Sequence, residues 1–294
     1  MNADLQDALN NFSQKFDANT QSLPSYFKGQ MSQPMMYPLQ AGGKRIRPFL
    51  VWLIGHIYHL DPQLLLNIST SIELIHTYSL VHDDLPTMDN ATLRRGRPTA
   101  HIMYGEGQAI LVGDGLLTLA FEHLSSIKDI SPDVILRLIR ALAHAAGANG
   151  MVLGQWLDLL PDQSVLSIDD ITFRHLLKTG ALLQVSCLFA PIVAQSPEGV
   201  LAIWRKFGDK IGLAFQVTDD LLDIKGEPDK MGKDANSDVS KATFVSLLGV
   251  SGAQSYALTL AREAHDLLDC IHASDETALT TLHNLVDYIV ERGQ

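Results

Sequence analysis

The chain has 294 residues, 46% hydrophobic and 19% charged, with a formal net charge of −11. This composition predicts one large soluble domain over residues 1–294, since no Pro/Ser/Gly linker divides it. The acidic balance argues against nucleic acid or an anionic membrane surface as partner.

Residues 3 to 17 set Leu5, Ala8, Leu9, Phe12 and Phe16 at helical spacing, which predicts an amphipathic opening helix. The first residues carry acids where a signal or transit peptide carries bases, so a cytoplasmic location is expected. Residues 21 to 40, rich in Pro, Ser and Met, read as irregular. A basic run follows, Gly42-Gly43-Lys44-Arg45-Ile46-Arg47, and helical periodicity returns from there to about Leu60. Asp61-Pro62 supplies a capping acid and a first-turn proline for a helix over about 62 to 84.

That helix delivers His82-Asp83-Asp84-Leu85-Pro86-Thr87-Met88-Asp89, followed by Arg94, Arg95 and Arg97. Three carboxylates offer hard oxygen ligands of the kind Mg²⁺ shares with substrate phosphates. The guanidiniums offer planar forks for phosphate oxygens. Pro86 is expected to end the helix and fold Asp89 back toward the first two acids. From Leu85 to Gly107 the Pro and Gly content predicts a long functional loop with at most one helical turn.

Helices are then expected at about 108–126, 132–160, 168–190 and 198–225. The apolar run from Ala181 to Ala194 falls short of a bilayer span and reads as a buried helix. The last of these helices carries Gln216-Val-Thr-Asp219-Asp220-Leu-Leu-Asp223, with Asp219 and Asp223 on one face and Asp220 off it. Acids packed among Ile211, Leu213, Leu221 and Leu222 need a cation between them. A polar loop over 226–240 and helices at about 241–249, 251–272 and 275–291 complete the chain. No sustained period-two alternation occurs, so the fold class is all-α. Cys187 and Cys270 lie 83 residues apart with no metal or redox spacing, and read as reduced thiols.

The basic Gly-Gly-Lys-Arg-Ile-Arg-Pro segment, Asp-Asp-(four residues)-Asp with its Arg-Arg-Gly, and Asp219-Asp-Leu-Leu-Asp223 occur in this order at lengths that resemble the trans-prenyltransferases, most closely the bacterial farnesyl diphosphate type. The resemblance runs from about Gly42 to Arg292. It implies an antiparallel helical bundle around a deep central cavity, usually a homodimer, that condenses isopentenyl diphosphate with an allylic diphosphate. It implies Mg²⁺, three ions per site, held by Asp83, Asp84, Asp89, Asp219 and Asp223. By the same resemblance Arg94, Lys178, Lys233 and Lys241 grip the allylic diphosphate, and Lys44, Arg47, His76 and Arg95 the isopentenyl diphosphate. Lys178, Thr179 and Gln216 then lie beside the bond that breaks, and Gln155 and Asp158 match a further family element. At about 1.5 Å per residue, positions four and five before Asp83 lie ~6 to 7.5 Å deeper along the helix. There Ser79 and Tyr78 are expected to set chain length, with the Tyr78 ring as the floor.

The sequence departs from the family at Asn90, Ala91 and Thr92, where relatives carry acids, and at Ser240, which replaces a glycine. Two other readings remain open: a partner subunit of the same fold with weak turnover, or a synthase making geranyl or geranylgeranyl diphosphate. A helical metal phosphohydrolase built on His82-Asp83 leaves Asp219, Asp223 and the Gly-Gly-Lys-Arg segment without a role.

Overall fold

A computed structural model describes residues 3–27, 29–128, 130–160, 166–225 and 242–292. The helices, in chain order, are α1 (Ala3–Thr20), α2 (Ser32–Leu39), α3 (Ile46–Ile57), α4 (Pro62–Asp83), α5 (Ala100–Tyr104), α6 (Glu106–Ser125), α7 (Pro132–Ala146), α8 (Met151–Leu159), α9 (Ile168–His175), α10 (Ala181–Val193), α11 (Glu198–Lys225), α12 (Phe244–Asp269) and α13 (Glu276–Glu291). Among the described residues the strand content is one hairpin, β1 (Leu93–Arg94) paired antiparallel with β2 (Arg97–Pro98). The all-α expectation holds.

Local chemistry sets most boundaries. Asp61 accepts the Leu64 N–H at 2.9 Å and so starts α4 with Pro62 in its first turn. Ser167 and Asp170 form a reciprocal capping box at the head of α9, and Thr243 and Ser246 do the same for α12. The buried residues of α7, Val134, Leu138, Leu142 and Ala145, recur every three or four positions, while Leu136 on the other face is exposed.

Several expected boundaries are corrected. The 21–40 stretch is not irregular: it holds two 3₁₀ turns and α2. Pro34 falls in the first turn of α2, where no intrahelical N–H is required. The single helix expected over 132–160 is broken between α7 and α8. At Gly150 the chain passes so close to α7 that a Cβ would stand 2.1 Å from the Ala145 carbonyl oxygen. The break expected near residue 250, by contrast, is present: within α12 Gly249 leaves the helical region at φ 69° and ψ 166°, separating two helical stretches.

The Ala181–Ala194 run proves to be the second half of a helical run from Ile168 to Val193, 26 residues in all and long enough to cross a bilayer. Its apolar surface is consumed by the core: 61% of the most apolar window is buried. A second such run, Phe244–Asp269, carries the Gly249 kink and packs along α11.

One hydrophobic cluster runs from Leu5 in α1 to Val290 in α13. α3, α4, α10 and α11 form its centre, with α6 against α4, α12 against α11, and α13 closing on α3 and α11. Between α9 and α10, residues Leu176–Gly180 form a single π turn. Such a turn re-aims side chains within an otherwise regular helix and recurs at functional sites.

Candidate active site

The bundle encloses two chambers. The first, about 630 Å³, is lined by Lys44, Arg47, His76, Arg94, Arg95, Thr179, Gln216, Asp219 and Arg292, among others. The second, about 420 Å³, is lined by Tyr78, Ser79, Asp83, Met88, Met151, Val152, Gln155, Trp156 and Lys178, among others. Both are bounded by Arg47, His76, Leu80 and Thr179. Of the expected isopentenyl-side residues, Lys44 and Arg95 line the first chamber alone and Arg47 and His76 stand on the boundary; Tyr78 and Ser79 line the second alone, and the expected allylic-side residues divide, with Arg94 in the first and Lys178 in the second.

The first chamber is built to hold an anion. Arg47 is half-buried, its Nε is shut away from solvent without a partner, and desolvation presses its guanidinium below the ordinary range. Burial, then the neighbouring Arg47, Arg95, Arg45 and Arg94 charges, holds His76 well below the usual imidazole range, so its ring is neutral. A buried donor without an acceptor is costly, and a phosphate oxygen supplies the acceptor.

Arg95 reaches this chamber by an unusual route. With Gly96 it forms the two-residue turn of the β1–β2 hairpin, both at positive φ (53° and 74°), as a type I′ turn requires. Its guanidinium donates to the Gly42 carbonyl and lies against Gly43, where a Cβ would come within 2.4 Å of it. The glycine pair is therefore the seat of the Arg95 side chain.

The first acidic motif folds as expected at Pro86. α4 stops at Asp83, and the Asp89 N–H donates to the Asp83 carbonyl at 2.9 Å, which returns Asp89 toward it. Asp84, expected to be a metal ligand, is instead buried and gripped by Arg94, whose Nε lies 2.8 and 2.9 Å from its two carboxylate oxygens. Both Asp84 oxygens are thus engaged by the Arg94 guanidinium, which they position. Of the departures at Asn90, Ala91 and Thr92 only the first has a local structural account, since the other two supply the turn with main-chain carbonyls that any residue would offer. Asn90 takes φ 50°, and the Ala91 and Thr92 carbonyls accept from the Thr99 hydroxyl and N–H.

On the opposite side the π turn presents Lys178 and Thr179. Lys178 Nζ lies 2.6 Å from Asp158 Oδ2. The Thr179 hydroxyl donates to Gln216 Oε1 at 3.2 Å, and Gln216 Nε2 donates to Asp220 Oδ1 at 3.3 Å. Asp220 also accepts the Phe244 N–H at 2.9 Å, tying α11 to the head of α12. Its position off the Asp219–Asp223 face thus has a structural use. Gly154 permits the approach of the π turn, since a Cβ there would stand 2.2 Å from the Lys178 nitrogen.

The residues present fit divalent metal. Burial lifts the Asp83 carboxyl to about 6, with Lys178 opposing and Asp89 pushing further. Burial likewise lifts Asp219 to about 6, with Arg292 and Lys44 opposing and Asp223 pushing further. Each is a half-buried carboxylate with a second carboxylate nearby, made only of hard oxygens, and burial is the first cause of its raised pKa. Among the described residues no three Asp, Glu, His or Cys side chains converge on one point. His82 does not join these groups: its Nε2 is 3.0 Å from the Ile110 carbonyl oxygen.

Lys233, Lys241 and Ser240 lie outside the described residues. Three residues escaped the sequence reading. Arg292 stacks over Phe215 at 4.1 Å, with Nη2 3.2 Å from Asp219 Oδ1. Glu73 pairs with Arg45 at 2.6 Å, both buried, so Arg45 is structural and not a substrate ligand. The signal for Glu73 was there: a lone acid between Ile72 and Leu74 on an apolar helix. Trp156, 65% exposed at the edge of the second chamber, carried none.

Residues 28–288 match the family model described as Polyprenyl synthetase. A farnesyl diphosphate synthase of Geobacillus stearothermophilus is 45% identical over 229 residues, 76% of this chain and 77% of the relative. An apo FPP/GFPP synthase from Zymomonas mobilis superposes with a TM-score of 0.87 at 36% identity, covering 98% of this chain and 100% of the other. A Helicobacter pylori geranyltransferase complexed with magnesium and isoprenyl diphosphate gives 0.81 at 33% identity, over 99% of each chain. With the paired acidic motifs facing a cationic chamber and an apolar one, this chain belongs to the polyprenyl synthetase family.

Proposed function

We propose that the protein is a prenyltransferase that condenses isopentenyl diphosphate head to tail with dimethylallyl or geranyl diphosphate to give farnesyl diphosphate. The observation that carries this reading is the shared boundary between a chamber fitted for a diphosphate and one fitted for a diphosphate with an apolar tail. Asp83, Asp89, Asp219 and Asp223 would hold Mg²⁺, up to three ions, whose positive charge would offset the charge developing on the departing allylic diphosphate. Arg94, fixed by Asp84, and Lys178, fixed by Asp158, hold that diphosphate from the protein side. Lys44, Arg47, His76 and Arg95 hold isopentenyl diphosphate so that its double bond faces the boundary. The neutral His76 ring and the Thr179–Gln216 pair present dipoles there rather than net charge.

The exposed apolar side chains Ile102, Met103, Ile110 and Leu111 on α5 and α6 support a homodimer through this face. The single hydrophobic cluster supports one domain, and the unpaired thiols of Cys187 and Cys270 support a reducing, cytoplasmic setting. Incubation of the purified protein with Mg²⁺, isopentenyl diphosphate and either allylic diphosphate tests the activity. Farnesyl diphosphate is the expected product. Phosphate release without carbon–carbon bond formation contradicts the reading, and a chiefly twenty-carbon product moves it to the longer-chain alternative.

Two variants probe the two chambers separately. Arg95→Ala removes the guanidinium from the first chamber, and it is expected to raise the KM for isopentenyl diphosphate about tenfold while kcat changes little. An unchanged KM removes Arg95 from that site. Tyr78→Ala opens the floor of the second chamber, and products longer than those of the wild type are expected on chromatography. Products no longer than wild type take Tyr78 out of the chain-length role.

A further inference from the structure

The floor residue Tyr78 does not stand alone. Its ring meets the His82 ring edge-on, with centroids 5.7 Å apart and planes at 81°. His82 lies one helical turn along α4, lines the same chamber, and projects toward α6. There its Nε2 sits 3.0 Å from the Ile110 carbonyl oxygen. The imidazole fits only because residue 113 has no side chain. A Cβ on Gly113 would stand 2.0 Å from His82 Nε2 and 2.3 Å from its Cδ2, distances at which the ring must move. Gly113 is buried and its φ is ordinary, so nothing in its backbone demands glycine. The demand comes from the ring.

We infer that Gly113 and His82 form a brace that sets the depth of the apolar chamber, and hence product length, by fixing the Tyr78 ring from α6. The inference rests on the proposed synthase activity and on Tyr78 as the floor. A methyl group at 113 drives the imidazole off the Ile110 carbonyl toward Tyr78 and the chamber, making it shallower. Loss of the imidazole removes the edge against which Tyr78 rests, making it deeper. Both residues are positioning residues, and Gly113 lies on a different helix from the diphosphate ligands.

The test is product analysis with dimethylallyl and isopentenyl diphosphates for wild type, Gly113→Ala, His82→Ala and the double variant, each checked for folding by its melting curve. Gly113→Ala is expected to raise the ratio of ten-carbon to fifteen-carbon product roughly tenfold, with the first condensation within about twofold of wild type. His82→Ala is expected to shift products the other way, toward twenty carbons. The double variant should match His82→Ala, because the added methyl no longer meets a ring. A folded Gly113→Ala with the wild-type distribution overturns the inference. So does a double variant in which the two effects simply add. If Gly113→Ala does not fold while the double variant does, the clash stands, and a wild-type distribution in His82→Ala then overturns the role in chain length. A wild type that makes no prenyl product fails earlier, at the synthase reading itself.

Discussion

Asp83→Ala and Asp219→Ala are each expected to lower kcat by about three orders of magnitude in a steady-state prenyl-transfer assay, with folding intact. Ionising an allylic diphosphate leaves a polyanion beside a carbocation, and only interactions that strengthen as this charge develops accelerate the step. Asp83 and Asp219 stand on different helices, one at the edge of each chamber. Burial raises both carboxyls to about 6, so a bound cation would favour their ionised form. Asp220 makes a useful control. It holds Gln216 and the head of α12, so Asp220→Asn should act on stability and on Gln216 placement more than on metal dependence. A near-normal rate in either alanine variant rejects the metal assignment for that residue.

The largest effect on stability is expected at Glu73. Its carboxylate accepts from Arg45 Nη1 at 2.6 Å in a setting where both side chains are almost wholly removed from water. Arg45 also donates to the Leu39 carbonyl and to Asp17, so it links α1, α2 and α4 beneath the cationic chamber. Glu73→Ala leaves that guanidinium buried beside Arg47 without its main counter-charge, at a cost of about 3–5 kcal/mol. The melting temperature should fall by roughly 10 °C. Glu73→Gln, which keeps an acceptor, should cost less. A melting curve for Glu73→Ala that overlays the wild type contradicts this account of the pair.

Most of the helices and the two acidic motifs were legible because they obey local rules. Asp61-Pro62 caps α4, Pro86 ends it, and Asp219 and Asp223 share a face by periodicity alone. The failures lie where tertiary contact decides. Gly150 reads as an ordinary helix residue until the Ala145 carbonyl is found against it. Asp84 reads as a metal ligand like its neighbours, and only the fold shows that it holds Arg94 in place. Arg45, one residue from Lys44 in a basic run, turns inward because its left-handed backbone, φ 49°, points it at Glu73. The π turn that presents Lys178 and Thr179 has no periodic signature, since five residues of shifted register leave the surrounding apolar pattern intact.

The central claim is that two carboxylate clusters, one after α4 and one on α11, hold a single diphosphate through shared divalent ions. Anomalous diffraction from crystals grown with Mn²⁺, isopentenyl diphosphate and an unreactive thio-analogue of dimethylallyl diphosphate tests it most directly. The account predicts manganese peaks bound to Asp83 or Asp89 on one side and to Asp219 or Asp223 on the other, all sharing oxygens of the one allylic diphosphate. A diphosphate whose manganese ions touch only one of the two clusters would contradict it.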